Sequence, residues 1–221
     1  MTDRFWRQTD IVPTQVLANL PVTIIGAGGI GGTTAQTLCK MGIKQLTIYD
    51  DDKVELHNLP NQPYRISDIG KLKVEALAEI CFEYSGVKIR AIPDRFEKQQ
   101  ITHGIVISAV DSMSQRKIIW NAVKRKVMID LYIEGRMGAQ MARIYSFAAH
   151  DPVVGLRYET KMLYSDDQAL KLPCTAQAII YNTQMIASLI SHQVAELANG
   201  KPVPRETLFD FVTHSFIVSV S

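Results

Sequence analysis

Pro21-Val22-Thr23-Ile24-Ile25-Gly26-Ala27-Gly28-Gly29-Ile30-Gly31-Gly32 decides the fold. Its first half is a compact apolar strand, and the strand runs straight into glycines. A helix follows through Met41, with Gly42 placed to cap its C-terminus. Gln45-Leu46-Thr47-Ile48-Tyr49 then reads as a second buried strand, closing at Asp50-Asp51-Asp52. Strand, glycine loop, helix and strand make one βαβ unit. Within it, Gly26, Gly28 and Gly31 have the spacing of a dinucleotide fold. Glycine there permits the tight turn, the approach of backbone N–H groups to phosphate, and close packing of helix on strand. The helix starting near Ile30 adds the positive end of its dipole. Asp50 falls 19 residues after Gly31, where a carboxylate can accept hydrogen bonds from ribose hydroxyls. A nucleotide is favoured over a merely structural glycine turn, and a nicotinamide or flavin dinucleotide fits these features as well as ATP does.

Outward from this unit the alternation continues. Residues 68 to 84 have helical spacing, 87 to 92 alternate like a strand, and 104 to 110 form an apolar run suited to a buried parallel strand. A helix is expected from about Ser112 to Lys124, then strands at Val127 to Ile133 and Met141 to Phe147. Glu134-Gly135-Arg136-Met137-Gly138 reads as a turn between those strands, or as a segment whose arginine binds an anion. Residues 149 to 173 lack periodicity and are expected to form a long crossing loop. Thr175 to Ala198 reads as a long helix, and Thr207 to Val220 as two strands. Before the unit lie a polar, aromatic arm and a short helix, together residues 1 to 19. A single α/β domain over 1–221 is the simplest account. It is expected to be Rossmann-like and doubly wound, with a mostly parallel sheet and antiparallel strands toward the C-terminus.

Composition narrows the class. With 47% hydrophobic and 21% charged residues the chain can bury a core, and its formal charge of only +2 supplies no bulk attraction to nucleic acid or anionic lipid. Nucleic acid is therefore not an expected partner. No apolar run approaches the roughly 18 residues of a membrane span, and the charged N-terminus is unlike a secretory leader. A soluble, cytoplasmic protein is expected. Cys39, Cys81 and Cys174 form no CxxC pair. Reduced thiols are expected, two of them buried as small hydrophobes, and zinc is not.

Four further segments carry chemistry. Arg4-Phe5-Trp6-Arg7-Gln8 could be a solvated basic arm. Asp50-Asp51-Asp52-Lys53-Val54-Glu55-Leu56-His57-Asn58-Leu59-Pro60-Asn61-Gln62 follows the second strand. Gly70-Lys71-Leu72-Lys73-Val74-Glu75 opens a helix, where spacing alone puts Lys73 on a surface face. Asp111 ends Ser108-Ala109-Val110-Asp111, at the C-terminal edge of the sheet where open α/β folds bind ligands, with Arg116 five positions on. Asp111 also suits a helix N-cap.

Together these segments resemble the ubiquitin-activating-enzyme-like superfamily represented by ThiF, MoeB and HesA, from about Arg4 to Asn121. The resemblance implies transfer of AMP from ATP to the C-terminal carboxylate of a ubiquitin-like or sulfur-carrier protein, or a peptide, with release of pyrophosphate. It implies an ATP site built from Gly26, Gly28, Gly29, Gly31, Asp50, Asp52, Asn58, Asn61, Gln62 and Lys73, with Lys73 on phosphate and Asp111 on Mg²⁺. It also implies a homodimer in which Arg7 reaches the partner's ATP site. The family has an arginine where this chain has Asn61; Arg65, four residues later, is a candidate replacement. Cys174, between Pro173 and Thr175 at the apparent start of a helix, is a candidate covalent acceptor, because a helix N-terminus favours thiolate. An inert, partly buried thiol is the other reading. Two competing functions stay open: an NAD(P)-dependent oxidoreductase, and a catalytically degenerate relative that acts as a binding partner.

Overall fold

The computed structural model describes residues 4–97, 101–165 and 178–219. One eight-stranded sheet organises it: β1 (Pro21–Ile25), β2 (Gln45–Tyr49), β3 (Arg90–Ile92), β4 (Gly104–Ser108), β5 (Ile129–Gly138), β6 (Met141–Phe147), β7 (Glu206–Asp210) and β8 (Ser215–Ser219). Their spatial order is β3-β2-β1-β4-β5-β6-β7-β8. Strands β1 to β5 pair in parallel, and β5 to β8 pair antiparallel. The expected sheet, parallel first and antiparallel toward the C-terminus, is the one observed.

The helices are α1 (Thr14–Asn19), α2 (Gly29–Met41), α3 (Lys73–Ser85), α4 (Met113–Val123), α5 (Pro152–Arg157) and α6 (Ile180–Ala198). The period-two burial of the strands explains their distribution. Val22, Ile24, Ile48, Ile105 and Ile107 join α2, α3 and α6 in one core, whereas Ile25 and Val106 face Ile119, Trp120 and Tyr158 in another. A fully buried isoleucine such as Ile24 or Ile107 stabilises by about 1.5–3 kcal/mol relative to exposure. Gly42 caps α2 in the left-handed conformation, φ +115°, as its position in sequence suggested. Cys39 and Cys81 are free and buried. No helix among the described residues is long and apolar enough to cross a membrane.

Several expected boundaries are corrected. The helix expected from residue 68 starts at Lys73, because Ile66–Asp68 forms a 3₁₀ turn and Gly70 turns the chain at φ +88°. The strand expected at 87–92 is confined to 90–92. The segment Glu134–Gly138 is not a turn; it continues β5, and the chain reverses at Ala139 and Gln140, where Ala139 takes φ +50°. Gly135 serves packing instead, since a Cβ there would press to 3.1–3.2 Å on Ile30, Ile186 and Ile190. The stretch expected to be a loop holds α5 and a π-helical turn, Tyr158–Met162. Asp151 caps α5 by accepting from the Val153 and Val154 N–H groups, and Pro152 sits at its first position. That Asp-Pro pair was the legible signal. Residues 166–177, including the expected start of the last helix, lie outside the described residues.

Candidate functional site

Strand order reverses between β1 and β4, and Ile25 lies beside Ser108. The glycine run after β1 and the segment Ala109–Asp111 after β4 therefore emerge side by side at the C-terminal edge, the usual ligand crevice of open α/β sheets. Gly26 adopts φ +98°, and a Cβ on it would stand 2.5 Å from the Ala109 carbonyl oxygen. A Cβ on Gly31 would overlap the Gly26 carbonyl oxygen. Gly28 differs: a Cβ there would meet nothing within 4 Å, so the loop presents open space in front of it. No side chain caps the first turn of α2, whose N-cap is Gly28, so its leading N–H groups stay directed at that space.

Two side chains fix the loop from behind. Asp50 Oδ2 accepts the Ala27 N–H at 2.6 Å, and the Tyr64 phenol donates to the Ala27 carbonyl at 2.6 Å. Tyr64 is buried, and sequence reading missed it because an isolated tyrosine in a turn-rich stretch has no motif of its own. Tyr64→Phe is expected to lower stability by about 1–2 kcal/mol, through the orphaned Ala27 carbonyl, and to weaken nucleotide binding. Urea denaturation with and without ATP tests this; unchanged values in both would contradict it. Thr183 of α6 was also missed. A Cβ on Gly29 would come within 2.7 Å of Thr183 Cγ2 and 2.8 Å of the Asn61 carbonyl oxygen, so α6 and the Asn61 segment close over the loop.

Asp50 accepts a second bond from the Asp52 N–H at 2.9 Å, while Lys73 Nζ donates to Asp52 Oδ2 at 2.7 Å. Lys73 is 7% exposed rather than on a surface face. Asp50, Asp51 and Asp52 form the one carboxylate triplet among the described residues with ligand atoms within 4.8 Å of one another. Both Asp50 oxygens and Asp52 Oδ2 are already engaged, with Ala27, Asp52 N–H and Lys73, and we assign no metal to the triplet. Burial holds the Asp50 carboxyl above the ordinary aspartate range, against the opposing Ala27 N–H and Lys73 charge. With its folded pKa raised, Asp50 takes up a proton before the unfolded chain does, so its own contribution favours folding as pH falls. Ribose hydroxyls donating to Asp50, the role its motif position implies, would be met best by the ionised carboxylate. ATP affinity is thus expected to decline on acidification at a pH above the ordinary aspartate range, and Asp50→Asn to bind more weakly but without that acid limb. Calorimetric titration across pH checks this; an unchanged acid limb in the variant would contradict it.

Asn58 is buried, and its Oδ1 accepts the Glu55 N–H at 2.8 Å, which builds a capped 3₁₀ turn and leaves its amide donors for other partners. The Asn61 and Gln62 carboxamide oxygens are buried with no hydrogen-bond partner among the described residues. Buried orphans of this kind call for a partner. Arg65 does not replace the family arginine. It is tied to Asp68 at 2.9 Å, Glu83 at 2.6 Å and Glu79 at 3.2 Å, a network that Lys71 shares.

Asp111 is exposed and does not cap α4; Ser112 does, accepting the Gln115 N–H at 3.2 Å. The Asp111 carboxylate is thus not committed to the helix. Arg116 is buried and folds back on the same turn, its Nη2 donating to the Val110 carbonyl at 2.5 Å. An open glycine cradle, uncapped helix N–H groups, a lysine at its flank and orphaned carboxamides fit a nucleotide. An exposed carboxylate on the segment that leaves β4 beside the glycine run fits a hard cation that takes its other oxygens from phosphate and water.

The N-terminal arm lies elsewhere. Arg4 donates to the Ser85 carbonyl, Gln8 Nε2 donates to the Met41 carbonyl at 2.6 Å, and the Phe5 ring covers Gly42. Arm and glycine loop sit at opposite ends of α2, which is about 20 Å long, so Arg7 is not brought to the loop of its own subunit. Arg7 is exposed and stacks near Trp6, 5.3 Å from the ring centroid. Cys174 lies outside the described residues.

Comparison with known proteins agrees with this geometry. A profile described as the ThiF family matches residues 4–219. The NEDD8-activating enzyme E1 catalytic subunit of Arabidopsis thaliana is 36% identical over 104 residues, covering 44% of this chain and 23% of that protein. The crystal structure of PaaA superposes with a TM-score of 0.74 at 23% identity, covering 94% of this chain and 65% of that one. The structure of E. coli MccB with AMPCPP and MccA gives a TM-score of 0.73 at 16% identity, with coverage of 94% and 65%. The chain therefore spans about a quarter of that curated relative and two thirds of those solved chains. At these identities the structural likeness shows the fold.

Proposed function

Because the chain belongs to the ThiF family, we propose that it is an ATP-dependent adenylyltransferase acting on the C-terminal carboxylate of a ubiquitin-like or sulfur-carrier protein, or of a peptide. The observation that carries the proposal is the juxtaposition, at one strand-order reversal, of the open Gly28 cradle and the uncommitted Asp111 carboxylate. Asp50 would take the ribose hydroxyls, and the α2 N–H groups with the Asn58 and Gln62 amides would take phosphate oxygens. Lys73 would exchange its Asp52 partner for phosphate.

In the reaction the acceptor carboxylate oxygen bonds to the α-phosphorus, and the bond to the bridging oxygen breaks, releasing pyrophosphate. No general base is needed, because the carboxylate is already ionised near neutral pH. Both reactants are anionic, so the site must neutralise charge as it spreads over the phosphoryl oxygens. Mg²⁺ held on Asp111 would supply part of that neutralisation. Lys73 supplies another part, and Arg7 of a second subunit a third. The remoteness of the arm from its own glycine loop supports a role in trans and hence a homodimer. A covalent role for Cys174 remains a separate proposal, tested by Cys174→Ser.

One observation favours a second reading, a nucleotide-binding relative with little turnover. Asn61 replaces an arginine, and Arg65 is locked into its carboxylate network. ATP–pyrophosphate exchange, measured with ubiquitin-like proteins and short peptides, separates the two. Exchange that depends on a free C-terminus and disappears when that terminus is amidated is expected. ATP binding without exchange for any acceptor would favour the second reading.

A further inference from the structure

We propose that Glu134 is a positioning residue that aims the Asp111 turn, acting through Arg116; this rests on the reading of Asp111 as the carboxylate that holds the metal of Mg·ATP. Glu134 is completely buried on β5, directly beside Ser108 at the end of β4. Its Oε1 pairs with Arg136 and lies 3.6 Å from Arg116 Nε. Its Oε2 accepts from the Tyr158 phenol and, at 3.2 Å, from Tyr132. Three hydrogen bonds, from Arg136, Tyr158 and Tyr132, hold this carboxylate in one orientation, and the Arg116 charge faces it at ion-pair distance without a hydrogen bond from its Nε.

Arg116 transmits that orientation. With Nε facing Glu134, its Nη2 donates to the Val110 carbonyl at 2.5 Å and its Nη1 to the Asp111 carbonyl at 3.4 Å. A planar guanidinium anchored at one end thus sets the peptide planes on both sides of the Asp111 amide, and with them the direction of the Asp111 side chain. Lysine has no such fork. A buried ion cluster is poor evidence for stability, because well-packed apolar residues often serve as well or better. What the cluster specifies here is geometry at the turn that carries the exposed Asp111 carboxylate. Sequence reading treated Glu134 as part of a turn and missed it; β5 had to be seen running past the edge of its parallel neighbour.

The test is the coupling between metal and nucleotide: the ratio of the ATP Kd in EDTA to the ATP Kd in saturating Mg²⁺, by calorimetry. It needs no acceptor substrate. Asp111→Asn should bring the ratio close to one. Glu134→Gln, nearly the same size, removes the charge that faces Arg116 and should lower the ratio roughly tenfold, while the Kd in EDTA stays as in wild type. A merely structural residue would lower the melting temperature without moving the ratio. If Asp111→Asn collapses the ratio and Glu134→Gln leaves it intact, the positioning role is overturned and the adenylation reading stands. If Asp111→Asn itself leaves the ratio intact, Asp111 is not the metal carboxylate and both fail. Should Glu134→Gln not fold, Arg116→Lys replaces it, with the same tenfold fall expected and an unchanged ratio overturning the proposal.

Discussion

Asp111→Ala is expected to lower acceptor-dependent pyrophosphate release by a factor on the order of 10³, the scale of losing a group that stabilises charge in the transition state. The same change should leave the thermal midpoint nearly unaltered. The carboxylate is exposed, Ser112 carries the N-cap of α4, and Arg116 holds the turn through backbone carbonyls that alanine retains. Activity and stability should therefore separate cleanly. Measuring both on one preparation checks this, and a variant that released pyrophosphate at close to the wild-type rate would remove Asp111 from the mechanism.

Gly26→Ala is expected to have the largest effect on stability, about 3 kcal/mol or more. Two costs combine. The backbone at φ +98° is strained for any L side chain, and the added methyl would sit 2.5 Å from the Ala109 carbonyl oxygen, which is backbone and cannot swing away. Opening that contact would separate β1 from β4 at the reversal point, so ATP binding should disappear as well. Gly28→Ala is the informative control. Gly28 has φ −71° and open space around a new Cβ, so the protein should fold with wild-type stability and yet bind ATP more weakly, since the methyl projects into the cradle. Urea midpoints together with ATP titrations distinguish the two glycines, and equal destabilisation by both substitutions would contradict this division of roles.

Much of this was legible in sequence where a local pattern has one physical solution. Pro21 to Asp50 reads as strand, glycine turn, helix and strand because each glycine or apolar run admits little else. Lys73 and Asp111 were singled out by motif resemblance and Asp50 by its spacing from the glycine run, whereas the environments of these residues were not legible. Spacing put Lys73 at the surface, and the structure buries it against Asp52, because the segment from 50 to 73 folds back so that β2's end meets the start of α3. The N-cap was displaced by one residue: Asp111 and Ser112 are both good caps, and only backbone geometry selects Ser112. Arg65 looked like a spare cation until Asp68, Glu79 and Glu83 were found around it, contacts made across a turn and a helix. Tyr64 and Thr183 act through partners 37 and 154 positions away, and Glu134 adds Arg116 and Tyr158, 18 and 24 positions away, to its strand neighbours Tyr132 and Arg136.

On the proposed function, the glycine cradle serves ATP with a metal ion rather than a nicotinamide dinucleotide. Thermal stabilisation by Mg·ATP and by NAD(H), supplied at one equal concentration, distinguishes the two, since a ligand present at about 100 times its Kd adds about 2.7 kcal/mol and should raise the midpoint by about 5–10 °C in a protein of this size. Mg·ATP is expected to raise the midpoint, NAD(H) at the same concentration is not, and Asp111→Ala should diminish the ATP shift. A shift with NAD(H) and none with Mg·ATP would contradict the proposed function and assign the glycine loop to redox chemistry.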